Sequence, residues 1–290
     1  MAWTTRLALT ICLAMPLQPA LADAAKAPAQ ASAGQRENRF VLVDGGRNFR
    51  DVGGYATSDG RHLRWDRLFR SGSLGSLTDG GRSTVGALNA AAIIDLRSTA
   101  ERAGDRGDWL KAQNGYWTRD YELGFGNLSK ALSDPANAKP EIVRTMMAEG
   151  YRQAIDEQSA SYRELFLRLA SGRGPVIVNC TAGKDRTGVA AALVLRSVGV
   201  PYAKVREDFL LSNSAPGMDS LHKAMAGQAA RAGMSMSPEV MALLAGVDGS
   251  YLDAAFDQID RKYGSLNGYL TQRLGLTKAQ VAAVRRNLTR

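Results

Sequence analysis

Pro175-Val176-Ile177-Val178-Asn179-Cys180-Thr181-Ala182-Gly183-Lys184-Asp185-Arg186-Thr187-Gly188 joins three local signals in fourteen residues. The short β-branched run Pro175 to Val178 reads as a buried strand. Thr187 to Val198 is apolar almost throughout, closes at Gly199 and is followed by Pro201, so it reads as a buried helix. Between them lies a loop in which an arginine follows a cysteine after five intervening residues. A loop of that length can curl so that the backbone N–H groups of Thr181 to Thr187 point inward, while the next helix aims its positive N-terminus at the same spot. That makes a cradle for a phosphate dianion. Cys180 at its base is expected as thiolate, the nucleophilic form, and Arg186 is placed to grip two oxygens of the anion. A nucleotide-binding loop is excluded, because Asp185 follows Gly183-Lys184 where Ser or Thr is required, and Val178 holds the position of the first glycine.

Working outward, two more apolar runs, Phe40 to Val43 and Ala91 to Leu96, are expected as strands. Glu141 to Ile155 and Ser161 to Ala170 show helical spacing, the second stopping before Gly172 and Gly174. From Ala203 onward the chain reads as helical: a segment with Leu210 and Leu211, a Met-rich stretch from Ser214 to Leu244, then Tyr251 to Tyr263, Leu266 to Leu274 and Thr277 to Leu288. The expected class is α/β, a small central sheet flanked by helices with an extra helical C-terminal part. No internal repeat is visible.

At the N-terminus Arg6, an apolar run from Leu7 to Leu17 and Ala20-Leu21-Ala22 form the three parts of a cleaved signal peptide, expected over residues 1–22. The run falls short of the ~20 residues a spanning helix needs, and no later segment approaches that length. Ile11 before Cys12 argues against a lipid anchor. Residues 23–37, rich in Ala, Gln and Pro, read as a flexible tether. One domain over 38–290 is expected, in an exported, periplasmic or secreted protein. The chain has 2 cysteines, and cleavage would leave Cys180 alone, so no internal disulfide is expected. With 2 histidines, His62 and His222, a multi-histidine metal site is not expected, nor any other cofactor. The net charge of +9 favours anionic partners, but no basic run interleaved with aromatics points to nucleic acid.

The loop resembles that of the bacterial tyrosine-phosphatase-like proteins, HCxxGKDRTG, a family that includes secreted dual phosphotyrosine and phosphoinositide phosphatases. Four further blocks resemble that family in the same order: Asn48-Phe49-Arg50-Asp51-Val52-Gly53-Gly54-Tyr55, Leu68-Phe69-Arg70-Ser71-Gly72, Ile94-Asp95-Leu96-Arg97-Ser98 and Asp208-Phe209-Leu210-Leu211-Ser212-Asn213. The resemblance spans roughly 38–290. It implies a four- or five-stranded sheet and metal-free hydrolysis of a phosphate monoester through a cysteinyl-phosphate. By the same resemblance Cys180 is the nucleophile and Arg186 the phosphate clamp. Thr181, Ala182 and Gly183 line the loop, Lys184 and Asp185 shape its charge preference, and Thr187 offers a hydroxyl near the sulfur. Phosphorylated proteins, phosphoinositides and small phosphate esters are the implied substrates.

One departure is Asn179, where the family has histidine. It can hydrogen-bond but cannot carry charge, so it is expected to help the thiolate less. The leaving oxygen needs a proton, and Asp95 after its strand and Asp185 within the loop are both candidates to supply it, with Asp95 slightly favoured for its place at the sheet's ligand-binding edge. Asp95 can equally serve as a partner for Arg97 or Arg50. Asn48, Arg50 and Asp51 are expected to hold the first strand and its turn against the site, and the Met-rich stretch is read either as core or as a lid. Two other functions compete: a rhodanese-type sulfurtransferase, opposed by the Lys184-to-Gly188 run, and a phospho-ligand binding module weakened at Asn179.

Overall fold

A computed structural model describes residues 39–105, 108–123, 134, 138–231 and 236–290. The expected signal segment 1–22 and tether 23–37 lie outside the described residues. A five-stranded sheet is built from β1 (Arg50–Asp51), β2 (Leu68–Ser71), β3 (Ala92–Asp95), β4 (Tyr116–Trp117) and β5 (Val176–Asn179), in the spatial order β1-β2-β5-β3-β4. β1 runs antiparallel to β2, and the other pairings are parallel. β5 is therefore central, and its register aligns Asn179 with Ser71 on one side and Asp95 on the other. Three parallel strands thus end at one level, one residue before Cys180. This is the carboxyl edge where open α/β sheets place their ligands.

Side chains alternate between the faces with the strand period of two. Leu68, Ala92, Ile94, Val176 and Val178 enter the large core shared with the helices, while Phe69, Ile93 and Ile177 enter a smaller one with Leu74, Leu77 and Val85. The first helix, α1 (Asp79–Gly86), covers the smaller face, and α2 (Thr99–Arg102) is a single turn after β3. α3 (Pro140–Glu157) and α4 (Ser159–Ser171) match the expected helical spacings, with Gly172 in the left-handed conformation at the end of α4. α5 (Arg186–Ser197) is buried from Arg186 to Leu195, as its unbroken apolar run requires.

The C-terminal part is helical as expected: α6 (Tyr202–Leu210), a 3₁₀ turn (Leu211–Ser214), α7 (Met218–Arg231), α8 (Pro238–Ala245), α9 (Gly249–Tyr263), a helical turn (Leu266–Gly268) running into a π turn (Tyr269–Arg273), and α10 (Lys278–Leu288). Among the described residues no helix is long and apolar enough to cross a membrane.

One expected strand is absent. Phe40 to Val43 makes only an isolated bridge, Phe40 to Arg50, and the hydrogen bond from Val41 N–H to Phe49 O. A turn at Gly45 and the positive φ of Asn48 (54°) bend the chain away before a ladder can form.

Candidate active site

The Cys180 loop starts at the sheet's carboxyl edge and ends on the first turn of α5. Cys180 is buried, and the backbone N–H of Gly183 donates to its sulfur at 3.3 Å. Gly183 has φ of +72°, and a Cβ there would lie 2.5 Å from the backbone nitrogen of Gly72 and from the carbonyl carbon of Ser71, so only glycine lets the loop turn this close to β2. The outward-turned carbonyls of the loop are held from behind. Asn48 Nδ2 donates to Gly183 O at 2.9 Å and to Ala182 O at 3.3 Å, and Arg70 Nη2 donates to Gly183 O at 3.0 Å. Thr187 Oγ1 is buried without a hydrogen-bond partner under the same turn.

A buried ionic group supports those two holders. Asp208 accepts from Arg50 Nε at 3.3 Å, Arg70 Nη1 at 2.6 Å and the Tyr55 hydroxyl at 3.2 Å. Arg50 also donates to Asn48 Oδ1. Burial would raise the Asp208 carboxyl, but the two guanidiniums overcome it and hold it at about 2. Burial, together with the neighbouring Arg70, pulls Arg50 down to about 10, still charged at neutral pH. Asp51 accepts instead from the N–H groups of Gly53 and Asp66, closing its own turn.

Arg186 is held by Glu101. Nη1 donates to Oε2 at 2.7 Å and Nη2 to Oε1 at 2.6 Å, while Nη1 also reaches Leu96 O at 3.0 Å and the Tyr121 hydroxyl at 2.9 Å. This end-on grip leaves Nε–H and one Nη2 hydrogen without a partner among the described residues, a parallel donor pair of the kind that takes two anion oxygens. The Thr181 hydroxyl donates to Glu101 as well. Against the upward push of burial, the hydrogen bonds and charge of Arg186 hold the Glu101 carboxyl at about 2. Sequence reasoning did not single out Glu101. The signal present was Ser98-Thr99-Ala100-Glu101, a capping box that opens α2 and fixes where the carboxylate stands.

The two proton-donor candidates sit in different surroundings. Asp95 is 1% exposed and spends both oxygens: Arg97 Nη2 at 2.7 Å, the Tyr116 hydroxyl at 3.1 Å, and Asn179 Nδ2 at 3.1 Å. Asn179 is thus bonded to β3 rather than to the loop, with its own Oδ1 unpartnered. Asp185 is half-buried, and its Oδ1 accepts from the Tyr151 hydroxyl at 2.6 Å and Lys184 Nζ at 3.1 Å. Burial and the Asp185 charge push the Tyr151 hydroxyl well up, so it stays a donor.

Lys184 turns away from the cradle. Besides Asp185, its ammonium donates to Leu244 O at 3.1 Å and Gly246 O at 2.9 Å, tying the loop to the end of α8 and using all three hydrogens. α7 approaches from the other side, where buried Met218 packs with Ala182 and Ala215.

A sequence model of the tyrosine phosphatase family matches residues 41–290, and the chain belongs to that family. It is a cysteine-dependent phosphatase by that membership. It is 32% identical over 261 residues to a protein of Cupriavidus necator assigned by name alone as a tyrosine-protein phosphatase, covering 88% of this chain and 91% of that one. To the triple specificity protein phosphatase PtpB of Mycobacterium tuberculosis it is 34% identical over 282 residues, covering 84% and 96%. A tyrosine-protein phosphatase of Nostoc commune shares 30% over 222 residues, covering 74% and 72%.

Proposed function

We propose that the protein hydrolyses phosphate monoesters without a metal, on phosphotyrosine proteins, phosphoinositides or both, through a phosphate transiently bonded to Cys180. The observation that carries this is the joint geometry of one loop: a sulfur receiving the Gly183 N–H, an arginine with a donor pair left uncommitted, and a buried helix starting at Arg186. The thiolate attacks phosphorus, the ester oxygen leaves with a proton, and water then releases inorganic phosphate from sulfur. Nη2 and Nε of Arg186, with the loop N–H groups, stabilise the charge on the transferring oxygens.

We assign the proton donor to Asp185. Its surroundings support this: it belongs to the loop itself and is half-buried, with Oδ1 anchored by Tyr151 and Lys184 and Oδ2 taking no hydrogen bond among the described residues, whereas Asp95 is committed to Arg97. The Thr187 hydroxyl, unpartnered and buried, is available to the sulfur as the phosphate departs. The signal-peptide pattern supports export, which N-terminal sequencing of protein recovered outside the cytoplasm would test by cleavage after Ala22.

The deciding experiment is phosphate release, with chelator present, from phosphotyrosine and phosphoserine peptides, phosphoinositides and aryl phosphate, comparing the mature protein with Cys180→Ser and Asp185→Asn. Turnover abolished in the first and reduced about 100-fold in the second, with loss of the alkaline fall in the pH profile, is the expected result. No turnover on any substrate while phosphate esters still bind would leave a binding module and overturn the enzyme mechanism.

A further inference from the structure

Lys184 is the residue that the family resemblance makes a reader of substrate charge, yet its three hydrogens are all spent on Leu244 O, Gly246 O and Asp185. Another cation beside the loop is free. Arg47 is half-buried, and its guanidinium makes no hydrogen bond or ion pair among the described residues. Its position is fixed nonetheless. Its carbonyl accepts from Gly72 N–H at 2.9 Å, and its stem lies over Gly72, where a Cβ would come within 2.3 Å of Arg47 Cγ. Gly72 in turn lies against Gly183 of the loop. Arg47 thus stands one residue's width from the cradle, next to Asn48, which holds the loop carbonyls.

A cavity of about 580 Å³ extends from Arg47 past Ser73 to Thr181 on the loop. Arg82 lines it too, with a buried Nε that has no hydrogen-bond partner among the described residues, a 3.3 Å ion pair to exposed Asp79 and the Trp109 ring 5.9 Å from its guanidinium. The two carboxylates in its wall are already engaged, each through two hydrogen bonds: Glu101 by Arg186, and Asp105 by Arg97, which Asp105 shares with buried Asp95. What the cavity offers an incoming group is therefore guanidinium, which pairs with phosphate bidentately. Its size suits a small polyol rather than an extended peptide.

We infer that Arg47, with Arg82 behind it, is a second anion subsite that reads a further phosphate on the same small molecule as the scissile one, and that Lys184 is a tether of α8 rather than the charge reader. This rests on the phosphatase reading above. The bisphosphorylated group could be a free polyol phosphate or the same headgroup on a lipid.

The test compares wild type, Arg47→Gln and Lys184→Met on inositol monophosphate and bisphosphate, on the matching short-chain lipids in micelles, and on phosphotyrosine peptides with and without acidic neighbours. The same pairs are titrated by calorimetry in the Cys180→Ser background. The ratio of kcat/KM for bisphosphate over monophosphate is expected to fall at least tenfold in Arg47→Gln, mostly through KM. It should stay within about twofold in Lys184→Met, which loses rate on both alike. Binding ratios should move in parallel, so absent turnover with a shifted binding ratio would fail the reaction and keep the subsite. An unchanged ratio in Arg47→Gln, a ratio lost in Lys184→Met, or an effect confined to acidic peptides would overturn the assignment. A larger effect in micelles than in solution would identify the lipid as the source.

Discussion

Glu101 does two jobs with one carboxylate: it caps α2 and orients Arg186. Replacing it by Gln keeps the cap but weakens the grip, so kcat/KM should fall about 100-fold and the melting temperature should fall as well at neutral pH. Its carboxyl sits at about 2 in the fold against an ordinary 4.5, so its stabilisation is full above about 4.5 and is lost as pH falls toward 2. Urea unfolding of wild type and Glu101→Gln at a series of pH values should show curves that converge only in that window. Gly183→Ala is the harsher change, since both its φ and the 2.5 Å approach to Gly72 forbid a side chain. Phosphate release should drop at least 1000-fold, while fluorescence-monitored unfolding still shows one cooperative transition. Cys180 and Arg186 are legible in their spacing within one loop, Asp185 in its place between them, and Thr187 through the family resemblance alone. Glu101 and Arg47 could not be read in advance, because each acts through a contact made only when distant segments meet; the capping box that fixes Glu101 marks a helix start and records nothing of Arg186.

Among the elements, the strands best read in advance were β3 and β5, whose β-branched runs are buried on both faces. β1 and β4 are two residues each and carry no periodicity, and β2 breaks its apolar pattern with buried Arg70. That buried charge makes sense only with α6 in place, because Asp208 on α6 meets Arg50 of β1 and Arg70 of β2 together. Asp208→Asn leaves two guanidiniums uncompensated away from water, and should cost about 3–5 kcal/mol in denaturant unfolding. Arg70 loses its anchor, so the variant should also show faster proteolysis near the Cys180 loop. At the far side of the loop, Asn213 pairs with both backbone groups of Val247, His222 bonds to Ala245 O and Lys184 to Leu244 O and Gly246 O, so the end of α8 and the joint after it are gripped at four consecutive carbonyls. A Met-rich reading could not foresee that, since these are backbone contacts without a side-chain signature.

At the scale of the whole molecule, the α/β class and the helical C-terminal part followed from the alternation of short apolar runs and long amphipathic ones, whereas the strand order did not. Spatial order depends on which edges are left after the helices pack, and nothing in a strand's own residues records its neighbours. β5 lies between β2 and β3, although it follows both by more than eighty residues. A fragment ending at Gly174 would hold four of the five strands yet no pairing across the middle of the sheet. Circular dichroism of residues 39–174 should show no cooperative thermal transition, and addition of a 175–290 fragment should be needed to restore one. The order of events in time follows. As the polypeptide emerges from the ribosome, its first half has no sheet to close on, and the wait lasts until the segment carrying the cysteine arrives. A chain that remains open that long stays threadable, so the topology that sets the cysteine in the centre of the sheet also delays the moment at which it becomes enclosed.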